Sequence, residues 1–437
     1  MLSLERQHAA LERQRLFVRW GRVMQVVGMS VEVMGLETVM GDLCLIERDG
    51  QGNLPAEVVG FRGRNALLQP FGDLEGVGPK SLARTSSQPL QAPVGMALLG
   101  RVLDAFGNPI DKGGPLEGIG RRGMRGTVPN PLTRKRIEQP LATGVKAIDA
   151  LITCGKGQRL GIFSGSGVGK STLLGMIAKG AFADVNVIAM VGERGREIRE
   201  FLERDLGHGL QKSVVIASTS DQPALVRLTA AKLATTIAED FRERGMDVLL
   251  IVDSVTRVAN AQREIGLAAG EPPSARGYPM SVFAMLSRLL ERAGASSAGT
   301  ITGFYTVLVD GDDTNEPVAD ATRSYLDGHI MLSRDLTHMG HFPPIDVSSS
   351  LSRVMTDIVP TEHLALATRL RSLLAAYEES RDLIEVGAYA KGSNPIVDEA
   401  IALRPRIQAF LRQDRSSGFP FAETLACLQE TLQGGRA

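Results

Sequence analysis

The chain has 437 residues, with 49 lysines and arginines against 49 aspartates and glutamates and a formal net charge of zero. At roughly 100–200 residues per domain, that length predicts two to four domains with sizeable cores. Charged residues make up 22% and apolar residues 43%, an ordinary globular mixture; the balanced charge argues against a nucleic-acid-coating surface, and no apolar run approaches the ~20 residues that span a bilayer.

The first residues alternate charge and apolarity (Glu5, Arg6, Glu12, Arg13, Arg15, Arg19) and lack the apolar block of a signal peptide. Residues 1–20 predict a short helix without Gly or Pro, with Leu4, Leu11 and Val18 recurring every seven residues. It is too polar to bury a core, which leaves two readings: a solvated terminus, or a docking helix for a partner.

Residues 21–95 change texture. β-favouring runs over 22–27 and 42–46 alternate with Gly-bearing turns, and Asp49-Gly50 with Gly52-Asn53 marks a hairpin. Several short, closely spaced strands predict a small β-barrel or sandwich. Residues 86–93 carry two prolines and read as a linker.

Over residues 96–345 strands alternate with helices. Strands are expected over 158–164, 185–191, 213–218 and 247–252, and helices over 169–182 and 223–244. In the longer helix Leu225, Leu233, Ile237 and Phe241 fall on one face at multiples of four. Alternating units of this kind build a parallel sheet with helices on both sides. Residues 346–437 lose the strand signal, and helical runs over 362–384, 395–414 and 422–432 predict a C-terminal helical domain. No internal repeat or low-complexity tract occurs.

The three cysteines, Cys44, Cys154 and Cys427, stand far apart, so neither a disulfide framework nor a zinc ligand set is expected; a reducing, cytoplasmic compartment fits. The six histidines are scattered, with no His-x-x-x-His or Cys-x-x-Cys spacing to hold a metal.

The strongest local signal is Ser164-Gly-Ser-Gly-Val-Gly-Lys-Ser171, one position away from G-x-x-x-x-G-K-[ST]. Gly165, Gly167 and Gly169 let the backbone curl so that successive N–H groups, including those of Ser166 and Val168, face phosphate oxygens. The helix that starts here, with Thr172 in its first turn, adds the positive end of its dipole. Lys170 supplies a charge to the β- and γ-phosphates, and Ser171 a hydroxyl ligand for Mg²⁺. Ser164 replaces the first Gly; this matters only if a positive φ is obligatory there.

Residues 248–253 predict a buried strand ending in Asp253, placed to hold Mg²⁺ through its water shell. Glu193, in Val191-Gly-Glu-Arg-Gly-Arg196, is the candidate for orienting the attacking water, since phosphoanhydride hydrolysis needs an aligned water and charge stabilisation of the γ-phosphoryl oxygens. The bland alternative is a structural ion pair of Glu193 with Arg194 or Arg257.

Taken in order, these segments resemble the type III export ATPases, most closely their flagellar branch. The resemblance is also carried by Gly100-Arg-Val-Leu-Asp-Ala-Phe-Gly107, Gly270-Glu-Pro-Pro-Ser-Ala-Arg-Gly-Tyr-Pro279, Phe304-Tyr-Thr-Val-Leu-Val-Asp-Gly-Asp-Asp313 and Ser352-Arg-Val-Met355. It extends over most of residues 20–400. It implies a RecA-like P-loop α/β core with an N-terminal β-barrel and a C-terminal helical domain, related to the catalytic subunit of rotary ATP synthases. The expected division is a docking helix (1–20), a β-barrel (21–95), the ATPase core (96–345) and the helical domain (346–437).

The resemblance also implies roles. Glu193 matches the catalytic carboxylate and Asp253 the metal-associated one. Arg194 and Arg257 match arginines lining the pocket. Arg353 matches an arginine finger reaching into the neighbouring subunit's site, and Phe342 stands where Tyr often packs against adenine. Thr314 stands where Met is commoner. The implied cofactors are ATP and Mg²⁺. The implied assembly is a homo-oligomeric, six-membered ring, cytoplasmic and peripherally associated with the inner membrane. Implied partners are a dimeric stalk-like regulator at the N-terminal helix, a central stalk protein, export-gate membrane proteins, and export chaperones with their cargo.

The implied function is ATP hydrolysis that energises protein export through the flagellar apparatus. A virulence (injectisome) secretion ATPase would share the chemistry. A ring RNA translocase would need a basic, aromatic N-terminal surface, but residues 21–95 hold only Phe61 and Phe71 as ring residues and no basic cluster, so no nucleic acid is expected. A non-catalytic ring subunit would lack the carboxylate that Glu193 supplies.

Overall fold

The computed structural model describes residues 20–86, 89–309 and 316–433. The N-terminal helix expected over 1–20 lies outside them except for Trp20, which opens a strand; Thr314 also lies outside.

Strands β1 (Trp20–Val27), β2 (Ser30–Met34), β3 (Leu43–Arg48), β4 (Gln51–Arg62), β5 (Asn65–Pro70) and β6 (Leu82–Thr85) close into a barrel in the order β1-β2-β5-β4-β3-β6. Val23, Val31, Val33, Cys44, Ile46, Leu54 and Leu68 fill its interior, as alternation along each strand requires. The β3–β4 ladder closes at Arg48↔Gln51. Only Asp49-Gly50 therefore forms the loop, with Gly50 at φ +66°. Gly52 and Asn53, expected in the turn, lie within β4.

The segment expected as a linker over 86–93 runs into β7 (Gln91–Val94). Next come β8 (Val102–Leu103) and β9 (Gly120–Gly123). β7 and β9 form a two-stranded antiparallel ribbon with Pro93 opposite Arg121. A strand with one partner tolerates a proline, because its missing N–H can face away from the ladder.

The large sheet comprises β8, β10 (Arg159–Ser164), β11 (Val185–Glu193), β12 (Ser213–Thr219), β13 (Asp247–Asp253), β14 (Gly294–Ala295), β15 (Thr300–Leu308), β16 (Gly328–Leu332) and β17 (Ile345–Ser352). Its order is β17-β16-β10-β15-β13-β11-β12-β8, with β14 beside β15. β16–β17 and β14–β15 are antiparallel; the other pairs are parallel. β11 is buried throughout, as a central strand covered on both faces must be.

Apolar helix faces cover the sheet. Leu173 and Ile177 of the helix Lys170–Gly180 join a core with Leu370, Leu403 and Leu428 of the C-terminal helices. Leu225, Leu233, Ile237 and Phe241 of the helix Ala224–Glu243 pack into the second core. The expected loss of strands after residue 345 is corrected by β17. Beyond it come the helices Thr361–Glu385, Pro395–Leu411 and Phe421–Gln433. Among the described residues no helix is long and apolar enough to cross a membrane.

Candidate active site

The glycine-rich turn leaves the C-terminal end of β10 and enters the helix Lys170–Gly180. Gly167 and Gly169 take φ +79° and +85°, left-handed values that favour glycine. Gly165 and Val168 are buried, whereas Ser166 and Gly167 are exposed. Ser171 and Thr172 are half-buried in the first helical turn, which holds no acidic residue to oppose the dipole. Ser164 is an ordinary strand residue: among the described residues only Arg276 is a non-glycine with positive φ. Its replacement of glycine therefore asks nothing special of the backbone.

Parallel pairing brings the strand tips together. Met190 pairs with Asp253, Val252 with Tyr305, and Ser164 with Leu308. Lys170 Nζ donates to Asp253 Oδ1 and lies 3.4 Å from Glu193 Oε1. Arg257, on the helix Val255–Ala268, donates from Nη2 to Glu193 Oε2 at 3.3 Å. Gly192, at φ +69°, makes room for this: a Cβ there would come within 2.9 Å of Arg257 Cδ. Thr306 Oγ1 donates to Asp253 Oδ1 at 2.6 Å.

Burial works against the Lys170 charge, but Asp253 and Glu193 outweigh it and hold the ammonium above its ordinary pKa. Burial pushes the Glu193 carboxyl up; Lys170 and Arg257 pull it down, Asp253 pushes it further up, and the balance lies above the usual carboxylate range. The arrangement offers a cation toward the turn and a carboxylate with raised proton affinity opposite it.

Not every expected residue joins this cluster. Arg194 is exposed and pairs with Glu197 at 3.4 Å, so of the two ion pairs considered for Glu193 only the one with Arg257 forms. Phe342 is 47% exposed and stands beside the turn, since a Cβ on Gly169 would lie 4.0 Å from its Cε1. The N–H of Gln413 donates to its carbonyl at 2.9 Å.

Arg353 lies at the other end of β17, where its N–H donates to the carbonyl of Asp327 at 2.9 Å. Asp327 also anchors Arg159 at the start of β10. The exposed Arg353 guanidinium therefore does not meet its own phosphate-binding turn. Sequence reasoning met Thr306 only as part of the family segment over residues 304–313 and gave it no role in the site, because a threonine inside a β-run carries no chemical signal beyond strand propensity.

The residues fit a divalent cation. Asp253 Oδ2 is buried without a hydrogen-bond partner, an expensive condition for a carboxylate oxygen, and the Ser171 hydroxyl sits in the adjoining helical turn. Among the described residues no cluster of three or more His, Cys, Asp or Glu could hold a metal alone. This suits Mg²⁺, which takes one or two protein ligands and completes its shell with phosphate oxygens and water.

Residues 144–352 match the ATP synthase alpha/beta family, nucleotide-binding domain, and residues 359–430 the T3SS EscN ATPase C-terminal domain. The chain is 52% identical over 421 residues to a flagellum-specific ATP synthase of Bacillus subtilis, covering 96% of each chain. It is 50% identical over 428 residues to a type 3 secretion system ATPase of Xanthomonas euvesicatoria, covering 98% of this chain and 96% of that one. The structure of the assembled ATPase EscN from the enteropathogenic E. coli type III secretion system superposes with a TM-score of 0.90 at 43% identity, covering 94% of this chain and 100% of that one. EscN solved in complex with its central stalk EscO gives a TM-score of 0.87 with the same identity and coverage.

Proposed function

The chain belongs to the family of flagellum-specific ATP synthases and type 3 secretion system ATPases, and on that premise we propose that it hydrolyses ATP to energise protein export through a flagellar type III apparatus. The observation that carries the reading is Lys170 held between Glu193 and Asp253 at the strand tips facing a glycine-rich turn.

In the proposed reaction the turn's N–H groups and Lys170 bind the triphosphate. Ser171 and Asp253 would hold Mg²⁺, which neutralises charge on the phosphate oxygens. Glu193 orients the water that attacks the γ-phosphorus in line with the departing β-phosphate oxygen, and Arg257 fixes Glu193. Phe342 lies against the base. Arg353 supplies positive charge to the neighbouring subunit's γ-phosphoryl group, and Arg194, exposed beside Glu193, faces that same junction. The sites thus lie between subunits of a closed ring, for which six members are proposed.

The assembled state and central stalk recorded for EscN support an oligomer driving a stalk. A dimeric regulator at the N-terminal helix, export-gate membrane proteins, chaperones and cargo complete the proposed partners, at the cytoplasmic face of the inner membrane.

Glu193→Gln should keep ATP binding and abolish phosphate release; wild-type turnover would restore the reading of a non-catalytic ring subunit. The Xanthomonas relative favours an injectisome role as the second reading. Restored motility in a strain lacking its flagellar export ATPase supports the flagellar one, and rescue of injectisome secretion alone overturns it.

A further inference from the structure

Asp253 has two carboxylate oxygens with different surroundings. Oδ1 accepts from both the Lys170 ammonium and the Thr306 hydroxyl. Oδ2 is equally buried and accepts from nothing. Thr306 is fully buried on β15, one register step beyond the pair Val252↔Tyr305, so its side chain stands beside that of Asp253 on the same sheet face. The neighbouring strand end is pinned as well: Leu308 N–H donates to Thr256 Oγ1 at 2.9 Å, from the first turn of the helix that follows Asp253.

The carboxylate can turn about its last bond, and its two oxygens are chemically equivalent until something distinguishes them. Lys170 cannot do so dependably. On the ATPase reading it must shift its charge toward the phosphates, and its bond to Oδ1 weakens when it does. Thr306 belongs to the sheet and stays. Partners of this kind fix the orientation of a metal-bearing side chain.

We propose that Thr306 is a positioning residue that holds Asp253 Oδ1 and thereby reserves Oδ2 for the divalent cation or its water, setting the Mg²⁺ dependence of nucleotide binding. This rests on the ATPase reading above. Thr306→Val keeps the shape and removes the hydroxyl; Thr306→Ser keeps the hydroxyl.

The test titrates Mg²⁺ into full-length wild-type and variant protein with a fluorescent ATP analogue, alongside the same binding in chelator. Thr306→Val should raise the Mg²⁺ concentration at half response by about tenfold or more, the usual effect of losing such a partner. Its metal-free affinity should stay at the wild-type value, and Thr306→Ser should restore the Mg²⁺ response. Equal weakening with and without metal, an unchanged Mg²⁺ titration in Thr306→Val, or failure of Thr306→Ser to restore it would each overturn the assignment. Wild-type protein that binds the analogue indifferently to Mg²⁺ would instead overturn the parent reading, which is how the two failures are told apart.

Discussion

Lys170 and Asp253 form a buried salt bridge between side chains 83 residues apart. One stands on the first turn of a helix and the other at the tip of β13. Their meeting follows from parallel pairing, which puts the C-terminal ends of β10, β15, β13 and β11 on one edge. Open α/β sheets bind their ligands at that edge.

Removing the cation should be felt in the fold as well as in binding. Lys170→Ala leaves Glu193 and Asp253 facing each other, and breaking such a pair typically costs about 3–5 kcal/mol. The deficit should be largest near pH 8 and shrink toward pH 5, because Glu193, already raised above the usual carboxylate range, takes up a proton on the way down. Urea unfolding of wild type and variant at the two pH values measures this. A deficit independent of pH would show that the two carboxylates do not repel.

The same raised affinity governs turnover. A protonated Glu193 is a weaker hydrogen-bond acceptor for the attacking water and can no longer take up its proton, so kcat should fall on acidification through a group titrating above the ordinary glutamate range. Burial is the chief cause of that elevation. A pH–rate profile with its acid limb at or below the free-glutamate value would contradict it.

Arg353→Ala should bind nucleotide normally and lose ~10³–10⁵ in rate, as loss of an arginine finger does. Mixing it with Lys170→Ala should restore part of the activity, since hybrid junctions join an intact pocket to an intact finger. Phosphate release against protein concentration is the readout, and wild-type turnover by Arg353→Ala alone would refute a contribution across subunits.

Phe342→Ala should raise KM for ATP about tenfold, as loss of a ring stacked on a base implies, and leave kcat nearly unchanged. Phe342→Tyr should behave as wild type. A kcat defect without a KM change would place the ring elsewhere in the cycle.

The parts legible in the sequence were those whose chemistry is local. A glycine run between an apolar strand and a helix has few other uses, and Asp253 closes an unbroken apolar run. Leu225, Leu233, Ile237 and Phe241 announced their shared face by spacing, and all four are buried. β17 stayed hidden because it is an edge strand interrupted by a bulge: Asp346 pairs with Met331, but Ser348 to Ser350 fall between the two paired stretches, where the Ser348 and Ser349 N–H groups turn back to the Asp346 carboxylate, so the run reads as a loop by composition. Pro93 concealed β7 in the same way. Thr306 and the pinning of Phe342 by Gln413 depend on strand order and on the C-terminal helices folding back, neither of which spacing along a chain reveals.

The direction of β17 has one more result. Phe342 precedes it beside the glycine-rich turn and Arg353 follows it; the ends of β17 pair with Leu332 and Gly328, the two ends of β16, so the strand carries the chain roughly 13 Å along the sheet at the rise of an extended chain. A strand locked in a sheet cannot bend back over that span. On the proposed reading a solitary molecule loads its fuel and idles, and combustion waits for company; the cell needs no separate brake on subunits that have not yet reached the export machine.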